Sequence, residues 1–279
     1  MRLGSADVIT SIIGLAIIVI LVLTAIFAQF VAPHDPTAGA LGNRLKPPFW
    51  EKGGSTAHLL GTDVLGRDTL SRLIFGARTS LTVASVAILL AGIVGSSLGI
   101  VAGYLGGWAD IIIMRAADLA FSFPTILLAM VLAVVFGASF FNIVLVISLV
   151  LWAEYARMAR GETLKVKVMD YVALAQVAGI SKVRIMIRHI LPNVASALIV
   201  LATLQVGVVI ILESSLSFLG VGMPPPTPAW GSMIAEGRSY VVTAWWLSLM
   251  PGVAILATVL SFNLLGDALT ELLNPARQP

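Results

Sequence analysis

Residues 119–153 read LAFSFPTILLAMVLAVVFGASFFNIVLVISLVLWA, 35 positions without one Asp, Glu, Lys or Arg. A helix crosses the hydrocarbon core of a bilayer with roughly 20 apolar residues. At ~1.5 Å per residue this stretch would extend ~52 Å, against a core of ~30 Å, so it is too long for one span and short for two. Gly137 marks the break. Two helices then borrow residues from the charged flanks, one reaching back past Asp118 towards Met114, the other running from Phe140 to Met158 and taking in Glu154.

Four more runs share this character: 8–34, 79–109, 189–212 and 239–266, of 27, 31, 24 and 28 residues. The chain of 279 residues is 58% hydrophobic and only 11% charged, where soluble domains run near ~45–50% and ~25%. The pattern predicts an all-α polytopic membrane protein with six transmembrane helices. It excludes soluble enzymes, DNA-binding folds and secreted scaffolds. A net charge of +3 spread along the loops gives no nucleic-acid signal. There is no cysteine, hence no disulfide and no thiolate metal site.

The first run follows Arg2, as a signal peptide would, but Ile12 to Phe27 exceeds the usual apolar region and no small-x-small cleavage site precedes Pro33. An uncleaved span from Val8 to Val31 is the expectation. The other spans are Ser80 to Tyr104, Val194 to Glu213 and Trp245 to Gly266. Residues 214–235 are charge-free too, yet Pro224, Pro225, Pro226, Pro228, Gly220, Gly222 and Gly231 deny that stretch a lipid-exposed helix. An irregular or re-entrant connection covered by protein is expected there.

Lys and Arg in the loops set the orientation. Arg157, Arg160, Lys165, Lys167, Lys182, Arg184 and Arg188 place the fourth loop in the cytoplasm. Six spans then put both termini inside, with 10 basic residues inside and 7 outside.

A search for chemistry finds little. His34, His58 and His189 fall in loops, none paired at ligand spacing. No GxxxxGK[ST] or dinucleotide fingerprint is present. His58 to Asp68 (HLLGTDVLGRD) reads as a Gly-rich turn leading into a short amphipathic helix. Leu70, Leu73 and Ile74 share its face, and Asp68 and Arg72 are available to pair. Asp118 is expected to pair with Arg115, while Glu154 and Glu213 sit near span ends. The absence of a midplane carboxylate argues against an ion-coupled carrier. A structural scaffold stays open on these grounds.

The segment Gly161 to Asn193 is the informative one. Asp170 to Gly179 reads as a short helix closed by a glycine suited to a left-handed turn. Ser181 is placed to cap a second helix, with Val183, Ile187 and Ile190 on one face and Arg184 and Arg188 on another. Pro192 then opens the fifth span. Such a loop suits either a lipid surface or a protein partner.

Ala173-Leu-Ala-Gln-Val-Ala-Gly179 followed by Arg188-His-Ile-Leu-Pro192 resembles the EAA loop of ABC importer permeases, EAA-x3-G-x9-I-x-LP. Gly179, Leu191 and Pro192 fall on motif positions, while Ala173 replaces the motif Glu and His189 the motif Ile. His58 to Leu81, Gly103 to Asp110 and Glu213 to Gly222 (ESSLSFLGVG) are similar to the C-type permease subunit of the dipeptide/oligopeptide/nickel importers. The resemblance covers nearly the whole chain. It implies a type I ABC importer permease fold with cytoplasmic coupling helices in a bacterial inner membrane. The implied divisions are an N-terminal helix (1–32), a periplasmic segment (33–77), a permease core (78–267, with the coupling loop about 161–193) and a cytoplasmic tail (268–279).

The implied partners are a homologous second permease in a heterodimer, two cytoplasmic ATPases that use ATP and Mg, an external substrate-binding protein and the lipid bilayer. The chain itself is expected to be no enzyme and to hold no cofactor. Cargo in the family includes peptides, nickel chelates, glutathione and some oligosaccharides. The implied ATPase-docking residues are Tyr171, Ala173, Leu174, Ala175, Ala178, Gly179, Ile180, Ser181, Leu191 and Pro192.

Overall fold

A computed structural model describes the backbone of residues 5–273 and the side chains of 10–271. In chain order the helices are α1 (Ser5–Ile26), α2 (Ala28–Val31), α3 (Thr69–Leu105), α4 (Gly107–Phe121), α5 (Thr125–Phe136), α6 (Phe140–Lys167), α7 (Asp170–Val177), α8 (Lys182–Ile185), α9 (Leu191–Phe218), α10 (Trp230–Gly237) and α11 (Trp246–Leu273). The described residues contain no strand, only an isolated bridge between Thr62 and Asp68. Their all-α architecture agrees with the composition.

The expected six spans are not all seen as single rods. Among the described residues four helices are long and apolar enough to cross a membrane: Thr69–Leu105, Phe140–Lys167, Lys182–Phe218 and Trp246–Glu271. A fifth crossing requires α4 and α5 together, bent by 93°, and the apolar part of α1, Thr10–Ile26, is shorter. The bend corrects the expectation of one straight third span. Pro124 has no N–H to donate and pushes Phe123 out of helical geometry, so the helix stops at Phe121 and restarts at Thr125. Arg157 of α6 holds the corner, pairing with Asp118 at 3.0 Å and covering the Phe121 ring at 4.1 Å. Arg115, the expected partner, is 4.0 Å from Asp118. The break expected at Gly137 is present. Its φ of +81° ends α5, and the Ser139 hydroxyl accepts from the Asn142 N–H to start α6.

Around α3 the other helices gather. Its second half presents Gly95, Gly99 and Gly103, one turn apart, to the backbone of α6. A side chain at Gly95 would collide with the Trp152 carbonyl, and one at Gly99 with that of Ala156. This is the small-residue contact by which membrane helices gain packing without a hydrophobic drive. The main core lies beside it, with Val83, Ala87 and Ala91 of α3 against Ile143, Ile147 and Leu151 of α6 and Val209, Ile210 and Leu216 of α9. Inside that core Glu213 is fully buried, accepting from the hydroxyls of Ser80 (3.0 Å) and Ser217 (2.7 Å). Glu154 accepts from the Gln205 amide, which ties α6 to α9.

Helix α3 also begins earlier than expected. The short amphipathic helix at Leu70–Ile74 is its first turns rather than a separate element. Asp68 does not pair with Arg72. It caps α3 by accepting from the Ser71 N–H, and Arg72 turns instead to Asp63 and Glu236. The irregular stretch is narrower than the expected 214–235: α9 continues to Phe218 and α10 opens at Trp230, which leaves 219–229, with the prolines, outside regular structure. The following α10 is buried, with the Trp230 indole donating to the Leu73 carbonyl at 3.0 Å.

Candidate functional site

The loop between α6 and α9 is built from its ends inward. Helix α6 stops at Lys167, whose ammonium donates to the Tyr104 carbonyl at 2.7 Å. That bond satisfies an orphan carbonyl at the C-terminus of α3, where a cation is favoured. Helix α7 then runs for eight residues and closes on Gly179. Gly179 N–H donates to Gln176 carbonyl at 3.0 Å and Ile180 N–H to Ala175 carbonyl at 3.1 Å. With Gly179 at φ +76° this is a complete Schellman turn, the conformation its glycine predicted. Gln176 reaches the Tyr104 hydroxyl at 3.5 Å.

Beyond the turn the expectation of a second short, angled helix is corrected. Lys182 to Phe218 forms one continuous helical rod. Met186–Ile190 is a π-helical turn within it, directly before Leu191 and Pro192. A proline that lacks its N–H and crowds the preceding turn is accommodated by such a widening. The turn also changes the register. Ile185 and Ile190, five apart, are buried together with Val194, whereas Val183 and Ile187, expected on that face, are exposed. Ser181 precedes the rod but its hydroxyl makes no cap bond. His189 lies in the π turn rather than in a loop, its ring 6.4 Å from that of Tyr171.

Val172 and Ala175 of α7 pack inward with Ile100 and Tyr104 of α3 and Ala159 and Val166 of α6. Of the predicted docking residues, Ala175 is therefore buried and Ile180 half-buried. Tyr171, Ala173, Leu174, Ala178, Gly179, Ser181, Leu191 and Pro192 are exposed. Leu174 is 68% and Val177 87% exposed, with Val168 and Met169 also open, so the end of the bundle carries a contiguous apolar patch. Val168, Met169 and Val177 lie beside the expected docking residues and were not among them. Their signal was present: apolar side chains in the polar half of a loop, where nothing of the chain remains to cover them. Leu191 and Pro192 stand apart from this patch. Leu191 lines an apolar groove of about 490 Å³ between α3 and α9, with Ile88, Leu89, Val183 and Ile187.

At the other end of α3, Asp63 accepts from Arg67 at 2.6 Å and from Arg72 at 2.8 Å, and both arginines continue to Glu236 of α10 at 2.8 and 3.0 Å. Burial pushes the Glu236 carboxyl above the usual range, against the pull of Arg67. This network, in which each arginine bridges the two carboxylates, joins segments 169 positions apart in sequence, so spacing gave no hint of it.

These long apolar helices, one of them a broken span, define a polytopic membrane protein. The chain belongs to the family of binding-protein-dependent transport system inner membrane components, which matches residues 95–278. The N-terminal TM domain of oligopeptide transport permease C matches residues 10–48. The chain is 43% identical over 272 residues to the probable D,D-dipeptide transport system permease protein of Escherichia coli K12, covering 98% of this chain and 88% of that one. It is 44% identical over 265 residues to the dipeptide transport system permease protein of the same strain (95% and 88%). It is 41% identical over 258 residues to the glutathione transport system permease protein of Pectobacterium atrosepticum (92% and 84%). The implied C-type permease resemblance is thereby borne out. The chain is a multi-pass inner-membrane permease subunit of an ATP-driven importer, not an enzyme and not an ion-coupled carrier. Its family works with ATPase and substrate-binding partners.

Proposed function

We propose that this subunit forms half of a pathway for peptides or a related small solute, paired with a homologous permease, and that α7 with its Gly179 turn is where an ATPase docks. The peptide reading is supported by the relatives, two of which are dipeptide-system permeases. The observation that carries the docking reading is the patch of Leu174, Val177, Val168 and Met169, too apolar and too exposed to be left to water. In this reading the patch faces the cytoplasm together with both termini, in keeping with the basic residues around it. The 33–78 segment and α10 face the external binding protein. ATP and Mg belong to the partner ATPases. Closure of those subunits pushes α7, and α7 pushes α3 and α6, on which Val172 and Ala175 rest.

Gly179→Val tests this. A Cβ there meets nothing within 4 Å, so the variant suffers only the left-handed backbone penalty of about 1–2 kcal/mol and a redirected turn. The chain is expected in the membrane at near-normal amounts, with reduced ATPase co-purification and no uptake. Unchanged uptake and unchanged ATPase recovery would remove α7 from the coupling path. If the loop instead lies on anionic lipid, docking survives Gly179→Val and fails when Arg184 and Arg188 are both neutralised.

A further inference from the structure

We propose that His34, His58 and Asp68 form a binding site for a divalent transition-metal ion of the zinc class at the N-terminal end of α3. The two oxygens of Asp68, a residue 1% exposed, have different duties. Oδ2 accepts from the N–H and the hydroxyl of Ser71 at 2.8 and 2.7 Å, which completes the helix cap. Oδ1 faces two imidazoles, with His58 Nδ1 at 2.9 Å and His34 Nδ1 at 3.8 Å. The rings lie 4.8 Å apart at a tilt of 35°, and one ligand atom from each residue falls within 4.8 Å of the other two.

The cap uses only Oδ2, and His58 Nδ1 lies within hydrogen-bond reach of Oδ1, so the contact left to explain is the approach of His34 to the same oxygen. The 3.8 Å approach of His34 is too long for a hydrogen bond. A metal bridge sets its donor atoms about 3.4 Å apart, because two bonds of about 2.0–2.1 Å at a tetrahedral angle span that distance. The two distances to Oδ1 straddle that value, and shifts of about half an ångström equalise them. His34 is held in place independently of its ring, since its backbone N–H donates to the Ser71 hydroxyl at 3.0 Å. The His34 side chain is 41% exposed, which leaves an entry path and an open fourth position for water. Two imidazoles and one carboxylate suit zinc, cobalt or nickel, whereas calcium and magnesium take six or more oxygens. Once bound, the ion fastens the chain after α2 and the segment before Asp68 to the start of α3.

The test uses the full chain purified in detergent with a tag free of histidine. The absence of cysteine and a total of three histidines keep the background low. Zn(II) is titrated against a chromophoric chelator, and Co(II) is followed by the visible absorption of its four-coordinate form. One equivalent is expected, with affinity lowered at least about tenfold by His34→Ala, an exposed position at which folding is retained and is checked by near-UV circular dichroism. His58→Gln, which keeps a donor to Asp68, should lose the site as well, and His189→Ala should keep it. A stoichiometric site that persists in His34→Ala, or the lack of a saturable site in the wild-type chain, overturns the proposal.

Discussion

The two ends of α3 solve opposite problems. At the Thr69 end, charge is sequestered. Asp63, Arg67 and Arg72 are buried, each arginine bridges two carboxylates, and Glu236 of a distant helix closes the network. At the Leu105 end, hydrophobic side chains are displayed, held by one lysine to a carbonyl and one glycine turn. The first arrangement resists separation of its parts. The second leaves apolar side chains exposed, the surface proposed above for docking.

Arg72→Met is the harshest way to break this comparison. Arg72 is 2% exposed, and removal of one member of a buried ion network leaves uncompensated charge, at a cost of about 3–5 kcal/mol. A large fall in the thermal midpoint of the detergent-purified chain is expected. A wild-type midpoint would mean the network is ornamental. At the opposite end, Leu174→Asp with Val177→Asp should change stability by no more than about 0.5 kcal/mol, because both side chains are exposed. ATPase affinity should nevertheless fall at least about tenfold, roughly 1.4 kcal/mol, in a pull-down titration. Equal losses of stability and affinity would erase the distinction between the ends.

The gentlest test reads sidedness without perturbing either end. Single cysteines are placed at Val242, which is 97% exposed near α10, and at Val177. An impermeant maleimide applied to intact spheroplasts should label Val242→Cys, and label Val177→Cys only after lysis. Ser217→Cys, buried beside Glu213, should stay unlabelled in both. Labelling of Val177→Cys before lysis would reverse the orientation.

What could be read from the sequence follows the range of the physics. Gly179 announced its left-handed turn because a helix stop is a local event. Gly137 did so for the same reason, and the prolines of 224–228 excluded a span. Pro124 carried the same kind of signal, but the apolar run around it suggested continuity and masked the corner. The π turn at Met186–Ile190 left no mark except Pro192, whose crowding it relieves. The Arg72–Glu236 contact and the meeting of His34 with His58 were out of reach, since both depend on how distant segments pack.

The glycine contact between α3 and α6 has a mechanical consequence. At Gly95 and Gly99 the α3 and α6 backbones approach so closely that no side chain fits between them. They behave as a single beam. Helix α3 alone, 37 residues long, measures about 55 Å at 1.5 Å per residue. A tilt of about 5° about one end displaces the other by about 5 Å, close to the width of one helical turn. Under the coupling proposed above, motion of α7 is carried along this beam, and the ion network at its far end ties it to α10.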